Sequence, residues 1–182
     1  MDKEKIKKRA KSITADVLET LFIITEGFAD LATSRAATYR HLRNYDRDYD
    51  WTESKLGRWL DNLRYGKYIK ITEDSTSKKS VEFTNKGKIR IIDSIADQIE
   101  NDNKNRFVSF DIPEDMTNNR DGFRRAIKRI GFKRIQQSLW VINKNVSELV
   151  EMLAYEYKVE KYIVYIIAES SDIDGIIEKM LK

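Results

Sequence analysis

The stretch Arg106–Trp140 constrains the fold of this chain more than any other. It opens with apolar residues typical of a strand, which must stop at Pro113, the only proline, because proline donates no hydrogen bond to a sheet ladder. A helix starting at Asn119 or Asp121 follows, and Gly131 stands where a left-handed helix end is usual. Strand residues then resume over a length sufficient for two short strands. The stretch therefore predicts the order strand, helix, strand, strand.

The residues that follow complete this pattern. Asn145, with Glu148 three residues later, predicts the start of a helix through a capping-box-like arrangement. A strand is predicted over residues 162–168, and Ser171 with Asp174 predicts the start of a last helix. The C-terminal half thus reads strand, helix, strand, strand, helix, strand. This is the ferredoxin-like order, with one additional helix at the end.

Residues 106–167 resemble two known protein families. The resemblance is carried by FDIPED, by the arginine-rich helix, and by GF-x-R-I-Q-x-S-L-W. This spacing resembles the small ferredoxin-like subunit of the CRISPR adaptation complex. It is equally similar to the middle domain of PaaX-type transcriptional repressors, in which the same fold follows a winged helix. Among the CRISPR-associated relatives, the strand-end carboxylate that matches Asp111 is proposed to bind a divalent metal.

The N-terminal half begins with two predicted helices. From Ile6, apolar residues recur at intervals of three and four and predict one long helix that ends near Gly27. Thr33 or Ser34 is predicted to cap a second helix. The inward face of this helix should hold Ala36, Tyr39 and Leu42, and its outward face should hold Arg35, Arg40 and Arg43.

A third helix is predicted from the cap residue Thr52 to Tyr65. Its inward stripe contains Leu56, Leu60 and Leu63, and its opposite face contains Ser54, Lys55, Arg58 and Asn62. Residues 67–71 and 81–83 then read as two strands around a polar loop, and a further helix opens at residues 84–87. Three helices followed by a hairpin are typical of a winged helix-turn-helix. The ending Y-I-x-I…V-x-F-T-x-x-G resembles the wing and exit of that family.

The predicted fold class is α+β, with two domains. The exit helix should continue through Ile99, and the polar residues 101–103 mark the predicted boundary. Residues 1–103 would form the winged helix-turn-helix DNA-binding domain, with its N-terminal and exit helices. Residues 104–182 would form the ferredoxin-like domain with its additional helix, and would make the protein a dimer.

Composition narrows the class of function. The chain of 182 residues carries a net charge of +4 and a pI of about 9.1, which favours a polyanion as partner. It has no cysteine, so disulfides and thiolate zinc sites are excluded, and its single histidine, His41, argues against histidine-based triads and multi-histidine metal sites. No apolar run approaches the ~20 residues that span a bilayer, so we expect a cytoplasmic protein without a membrane partner.

These observations predict a sequence-specific DNA-binding regulator, most simply a repressor of the PaaX type, that binds double-stranded DNA as a homodimer. We expect the third helix to enter the major groove and the loop lysines to contact the backbone or the minor groove. The predicted DNA-binding residues are Ser54, Lys55, Arg58, Asn62, Arg35, Arg40, Lys78 and Lys79. No catalytic residue, no cofactor and no particular small-molecule effector is predicted.

Two features leave alternatives open. Residues 162–167 are apolar on both faces of a strand, so either a second subunit's sheet or the final helix must cover one of them. The basic residues between Arg120 and Arg134 are either a solvated helix face or a second surface for phosphates.

The rival function is a metal-dependent nuclease or a CRISPR adaptation component. Two Asp111 side chains of a symmetric dimer could share Mg²⁺ or Mn²⁺, which prefer oxygen ligands. Alternatively, Asp111 is a structural carboxylate that caps the turn before Pro113 or pairs with an arginine. Because no second acidic residue is clearly placed beside it, we expect no enzymatic activity.

Overall fold

The computed structural model of the chain describes residues 13–24, 31–45 and 50–181. The chain forms two compact units, Met1–Ile91 and Ile92–Lys182. Each unit is described separately below.

The first unit has the predicted element order. Residues 13–24 are helical and are called α1, and α2 (Leu31–Tyr45) and α3 (Glu53–Tyr65) follow. Strands β1 (Ile69–Glu73) and β2 (Lys79–Phe83) pair antiparallel, and α4 (Asn85–Arg90) closes the unit. The predicted start of the first helix at Ile6 and its end near Gly27 lie outside the described residues.

Helix α2 differs from the prediction at its start and on its inward face. It already contains Leu31, so Thr33 and Ser34 lie within the helix and are not its N-cap. The local preference of a residue type for a helix start is readily overridden by the tertiary context. Thr38 and Leu42 are buried, whereas Ala36 is exposed. The inward face is therefore rotated relative to the prediction.

Helix α3 begins and ends through specific hydrogen bonds. The Thr52 hydroxyl accepts a bond from the Lys55 backbone N–H at 3.2 Å, which confirms the predicted cap. At the other end, the Tyr68 N–H donates to the Leu63 carbonyl at 2.9 Å, and Lys67 has a left-handed backbone with φ of 58°. The left-handed residue that turns the chain into β1 is thus a lysine, one position after Gly66.

The hairpin is joined to α4 by a close crossing at Thr84 and Gly87. The Thr84 N–H donates to the Tyr68 carbonyl at 3.1 Å, and the Thr84 hydroxyl lies within donating distance of the Lys67 carbonyl, at 2.7 Å, and of the Tyr68 carbonyl, at 3.0 Å. The same hydroxyl caps α4 by accepting from the Gly87 N–H at 3.1 Å. A Cβ at Gly87 would lie 2.2 Å from the same Tyr68 oxygen. The spacing T-x-x-G therefore reflects a place where only glycine fits.

The second unit has the ferredoxin-like order, as predicted. A short helix α5 (Ile92–Asp97) precedes it. The elements that follow are β3 (Asn101–Phe110), α6 (Thr117–Ile130), β4 (Lys133–Arg134), β5 (Leu139–Lys144), α7 (Ser147–Glu156), β6 (Ile163–Ala168) and the additional helix α8 (Asp174–Leu181). The four strands form one antiparallel sheet in the order β4-β5-β3-β6, so β6 lies at an edge.

The predicted exit helix and domain boundary need correction. Two short helices replace the single exit helix, because Ile91 leaves helical geometry at φ −118° and ψ 27°. The units divide between Ile91 and Ile92, not near residue 103, since the polar residues 101–103 already belong to β3. Polarity alone suggested a linker there, yet these residues begin the sheet.

Two helix starts in the second unit also differ. Helix α6 begins at Thr117, earlier than Asn119 or Asp121, and no side chain caps it. Helix α7 begins at Ser147, and Asn145 accepts a bond from the Ser147 hydroxyl at 3.2 Å without forming the predicted capping box. The predicted left-handed end of α6 at Gly131 is confirmed, with φ of 110°.

Both faces of the sheet are covered by this chain, but unequally. On one face, Phe110 packs edge-to-face against Phe123 of α6 with ring centres 5.5 Å apart. On the other, Phe107 and Val141 pack with Ile177 of α8, so the final helix covers part of this face. Val164 and Ile166 of β6 share that second face through their pairing with β3, and they remain 57% and 43% exposed.

Candidate nucleic-acid interface

The outer face of α3 presents a polar stripe. Ser54, Arg58 and Asn62 recur every four residues, opposite the three buried leucines, and all three are exposed. Eight residues of helix place Ser54 and Asn62 about 12 Å apart along the axis. Within the part of the chain that the structure describes, the Arg58 guanidinium has no hydrogen-bond or ion-pair partner. Its donors are therefore available to an external acceptor.

Lys55 behaves differently from the rest of the predicted set. Its ammonium lies 2.8 Å from the Asp50 carboxylate and 2.5 Å from the Asp50 carbonyl oxygen. The hydrogen bond from Lys55, followed by its charge, lowers the pKa of Asp50. Because the Asp50 side chain is largely exposed, this ion pair is weak and would exchange readily for a phosphate.

Of the two predicted arginines of α2, the structure brings Arg35 to α3. Its guanidinium donates to the Glu53 carbonyl at 3.3 Å, in the first turn of that helix, and lies beside Gly57. Arg40 is also exposed, but no described contact ties it to α3. Arg35 of α2 therefore adds a positive charge beside α3, the helix that carries Arg58.

The hairpin loop is held in one shape by Asp74. Its carboxylate accepts bonds from the Thr76 N–H at 2.8 Å, the Thr76 hydroxyl at 2.7 Å and the Lys78 N–H at 3.0 Å. These bonds, that of the Thr76 hydroxyl first, lower the pKa of Asp74. Lys78 is exposed at the loop, and Lys79 makes only a half-exposed pair with Glu73 at 3.8 Å. The loop therefore presents two lysines on an ordered turn.

Asp111 lies alone at the end of β3. Its side chain is exposed, and its backbone N–H donates to the Tyr162 carbonyl at 3.0 Å. Neither the predicted cap before Pro113 nor an arginine partner is found for its carboxylate among residues 13–24, 31–45 and 50–181. The same residues contain no group of three or more His, Cys, Asp or Glu side chains that could hold a metal ion.

One protein family matches the part of the chain that contains the four-stranded sheet and helices α6 and α7. Residues 99–176 match the family model of the PaaX protein central Cas2-like domain. The Cas2-like domain thus runs from just before β3 into α8, which confirms the resemblance of the C-terminal half. The match leaves the first unit outside it. No curated protein and no solved structure matches the chain.

The Cas2-like domain also contains an ion pair between a buried arginine and a partly exposed aspartate, which the sequence did not indicate. Arg106 of β3 is 3% exposed, and its guanidinium binds both oxygens of Asp102, one of them at 2.5 Å. It also donates to the Lys104 carbonyl at 3.0 Å. The hydrogen bond from Arg106 lowers the pKa of Asp102 to about 2. The spacing D-x-x-x-R was the available signal, but it lay in a segment that we assigned to a linker.

None of the described helices is long and apolar enough to cross a membrane.

Proposed function

We propose that the chain is a sequence-specific, DNA-binding transcriptional regulator of the PaaX type, a repressor that acts as a homodimer. The observation that carries this proposal is the outer face of α3, where Arg58 and Asn62 are exposed beside an ordered basic hairpin. In this proposal the first unit is a winged helix-turn-helix, and α3 is its recognition helix. The PaaX-type Cas2-like domain supports a regulator as the general class.

The residue types on α3 suit base readout. Arginine donates two parallel bonds to guanine in the major groove, and asparagine pairs in the same way with adenine. Arg58 and Asn62 are therefore proposed to read bases, with Ser54 and Lys55 on the same helix. Lys78 and Lys79 would contact phosphates, as would Arg35 and Arg40.

The Cas2-like domain is proposed to form the dimer through β6. This edge strand has the sequence IVYIIA, without proline or charge, and Val164, Ile166 and Ile167 are exposed. Natural proteins cover such an edge or protect it with charged residues, because its free backbone groups pair with other strands. A two-fold dimer implies an operator with two related half-sites.

A metal-dependent nuclease is not favoured by any feature of the described residues. Asp111 would need a carboxylate from a second subunit to complete a Mg²⁺ or Mn²⁺ site. The proposal predicts that purified protein with either ion cleaves neither DNA nor RNA. Cleavage that an Asp111→Ala variant loses, while still binding DNA, would replace the regulator by the nuclease.

The proposal is tested by selecting bound sites from random duplexes and then measuring binding of three variants. Arg58→Ala should lose about 1–3 kcal/mol on the selected site if it reads a guanine, and little on random DNA. The double variant Lys78→Ala with Lys79→Ala should weaken binding to all duplexes alike. Arg64→Ala is the matched control, because it removes the same charge from α3 away from the polar stripe.

Two outcomes would contradict the proposal. If no site is enriched and no duplex is bound at low salt, the chain is not a DNA-binding regulator. If Arg58→Ala and Arg64→Ala lose the same affinity on selected and random DNA, α3 is not the recognition helix.

A further inference from the structure

A dense basic surface runs from α6 into β4 of the Cas2-like domain. Residues 117–134 contain seven Lys and Arg side chains and one acid, Asp121, which gives a net charge of 7 − 1 = +6. The whole chain has a net charge of +4, so all other residues together sum to 4 − 6 = −2. Residues 92–182 sum to −2, so this segment is the strongly basic part of an otherwise acidic unit.

Three of these seven cations have partners within the domain. Arg129 donates to the Asp93 carboxylate at 2.5 Å, and Arg120 lies 3.8 Å from Asp121. The guanidinium of Arg124 lies over the Phe110 ring, 5.4 Å from its centre. These contacts hold the three side chains against the fold.

The other four cations have no such role. Arg125, Lys128, Lys133 and Arg134 are exposed and have no hydrogen-bond or ion-pair partner in the described part of the chain. The negative end of the α6 dipole accounts for a cation in the last turn, such as Lys128. It does not account for Lys133 and Arg134, which lie beyond the helix.

The surface also lacks the features of a protein-binding site. Helix α6 buries Phe123, Ile127 and Ile130, and its opposite side holds Arg125 and Lys128 three residues apart. Among the described residues, no exposed large apolar side chain falls within residues 117–134. Protein interfaces are centred on buried aromatic or apolar anchors, whereas phosphate backbones require only charge and hydrogen-bond donors.

We propose that this basic face, defined by Arg125, Lys128 and Arg134, binds the sugar-phosphate backbone of duplex DNA. Arg134 pairs with Trp140 on the α6 side of the sheet, whereas Lys133 pairs with Val141 on the α8 side and is not part of this face. This inference rests on the proposed function, because both require duplex DNA as the partner. It adds a second contact, independent of sequence, that the Cas2-like domain makes. Arginine suits this role because its guanidinium can donate two bonds to one phosphate. Such contacts add affinity and salt dependence but no sequence preference.

The test compares two double variants of the full chain on a random-sequence duplex over a range of salt concentrations. Arg125→Gln with Lys128→Gln removes two charges from the basic face. Lys104→Gln with Lys179→Gln is the matched control, because it removes two exposed charges from other parts of the same domain. Losing two phosphate contacts should reduce the slope of log K against log salt by about 1.8. Taking equal affinity at about 1 M salt as the reference, the variant should bind DNA about 60-fold more weakly than the wild type at about 0.1 M salt. The control should keep the wild-type slope.

Each other outcome has a distinct meaning. If the wild type binds DNA and both double variants keep its slope, the basic face does not contact DNA and the α3 proposal is unaffected. If both variants lose affinity equally, only net charge matters, and the basic face is refuted as a defined site. If the first variant keeps DNA binding but changes the oligomeric state in sedimentation, the face contacts protein instead. If the wild type binds no duplex, this inference and the proposed function both fail.

Discussion

Replacing Gly87 by alanine should lower the free energy of unfolding of the first unit, whereas the same replacement at Gly57 should not. The added Cβ would lie 2.2 Å from the Tyr68 oxygen, where an ordinary contact begins at 3.4 Å, so Tyr68 and α4 must separate by 3.4 − 2.2 = 1.2 Å. That shift disrupts the bond that the Thr84 N–H donates to the same oxygen at 3.1 Å, whereas the Thr84 hydroxyl keeps its acceptor at the Lys67 carbonyl, 2.7 Å away. Since the contact is with backbone, no side-chain rotation can relieve it.

The expected cost follows from three contributions. Each lost hydrogen bond is worth about 0.5–1.5 kcal/mol. Strain from the inserted methyl adds about 1–3 kcal/mol. The better helix propensity of alanine returns roughly 1 kcal/mol. With one bond lost, the net loss in the free energy of unfolding is therefore about 2 kcal/mol.

The assay is urea denaturation combined with hydrogen exchange of the β1 and β2 amides, which reports on the first unit separately. Gly57→Ala is the matched control, because its Cβ would meet only the movable end of Arg35, at 3.2 Å. This control should be neutral or should stabilise α3 by up to ~1 kcal/mol. If Gly87→Ala is as stable as Gly57→Ala, the close crossing does not exist as described.

Two further predictions concern the Cas2-like domain. Because Arg106 holds the pKa of Asp102 at about 2, against roughly 3.9 in an unfolded chain, their pairing should stabilise the domain above pH ~4 and fade as pH falls toward 2. Denaturation curves at several pH values should show this loss in the wild type and a smaller one in Asp102→Asn. Separately, Ile166→Lys should convert the dimer to a monomer in sedimentation at tens of micromolar, whereas Tyr155→Lys, at an exposed position of α7, should not. A monomeric wild type would refute the β6 interface.

Periodicity and caps predicted much of the first unit. The leucine stripe of α3 and the Thr52 cap depend on neighbours within one helix, and both are found in the structure. The left-handed residue after α3 could not be foreseen, since Gly66 is present but Lys67 takes that conformation. Here the hydrogen bonds that turn the chain into β1 override the residue's own preference.

Long-range contacts account for what the sequence did not reveal in the second unit. Residues 101–103 are polar enough for a linker, yet they extend β3, where Asn101 pairs with Lys144 of β5 beyond an irregularity that brings Asp102 to Arg106. The pattern of β6 predicted a cover on both faces and left open whether a second subunit or the final helix supplies it. Helix α8 covers part of the second face through Ile177, Val164 and Ile166 stay exposed, and the second subunit remains a prediction. The predicted DNA-reading role of α3 and the metal role of Asp111 remain predictions.

The concentration of charge in the Cas2-like half makes its net charge a poor guide to its behaviour. Residues 92–182 contain 14 basic and 16 acidic side chains, so this unit is formally an anion although residues 117–134 carry +6. An uneven distribution of charge of this kind gives a unit an electric dipole moment. In the field of a polyanion it would experience a torque that turns the α6 side inward at separations comparable to the Debye length, about 8 Å at physiological salt. Retention on an ion-exchange column would report the net charge of the unit. Its orientation when it meets a polyanion would instead be set by the uneven distribution of its charges.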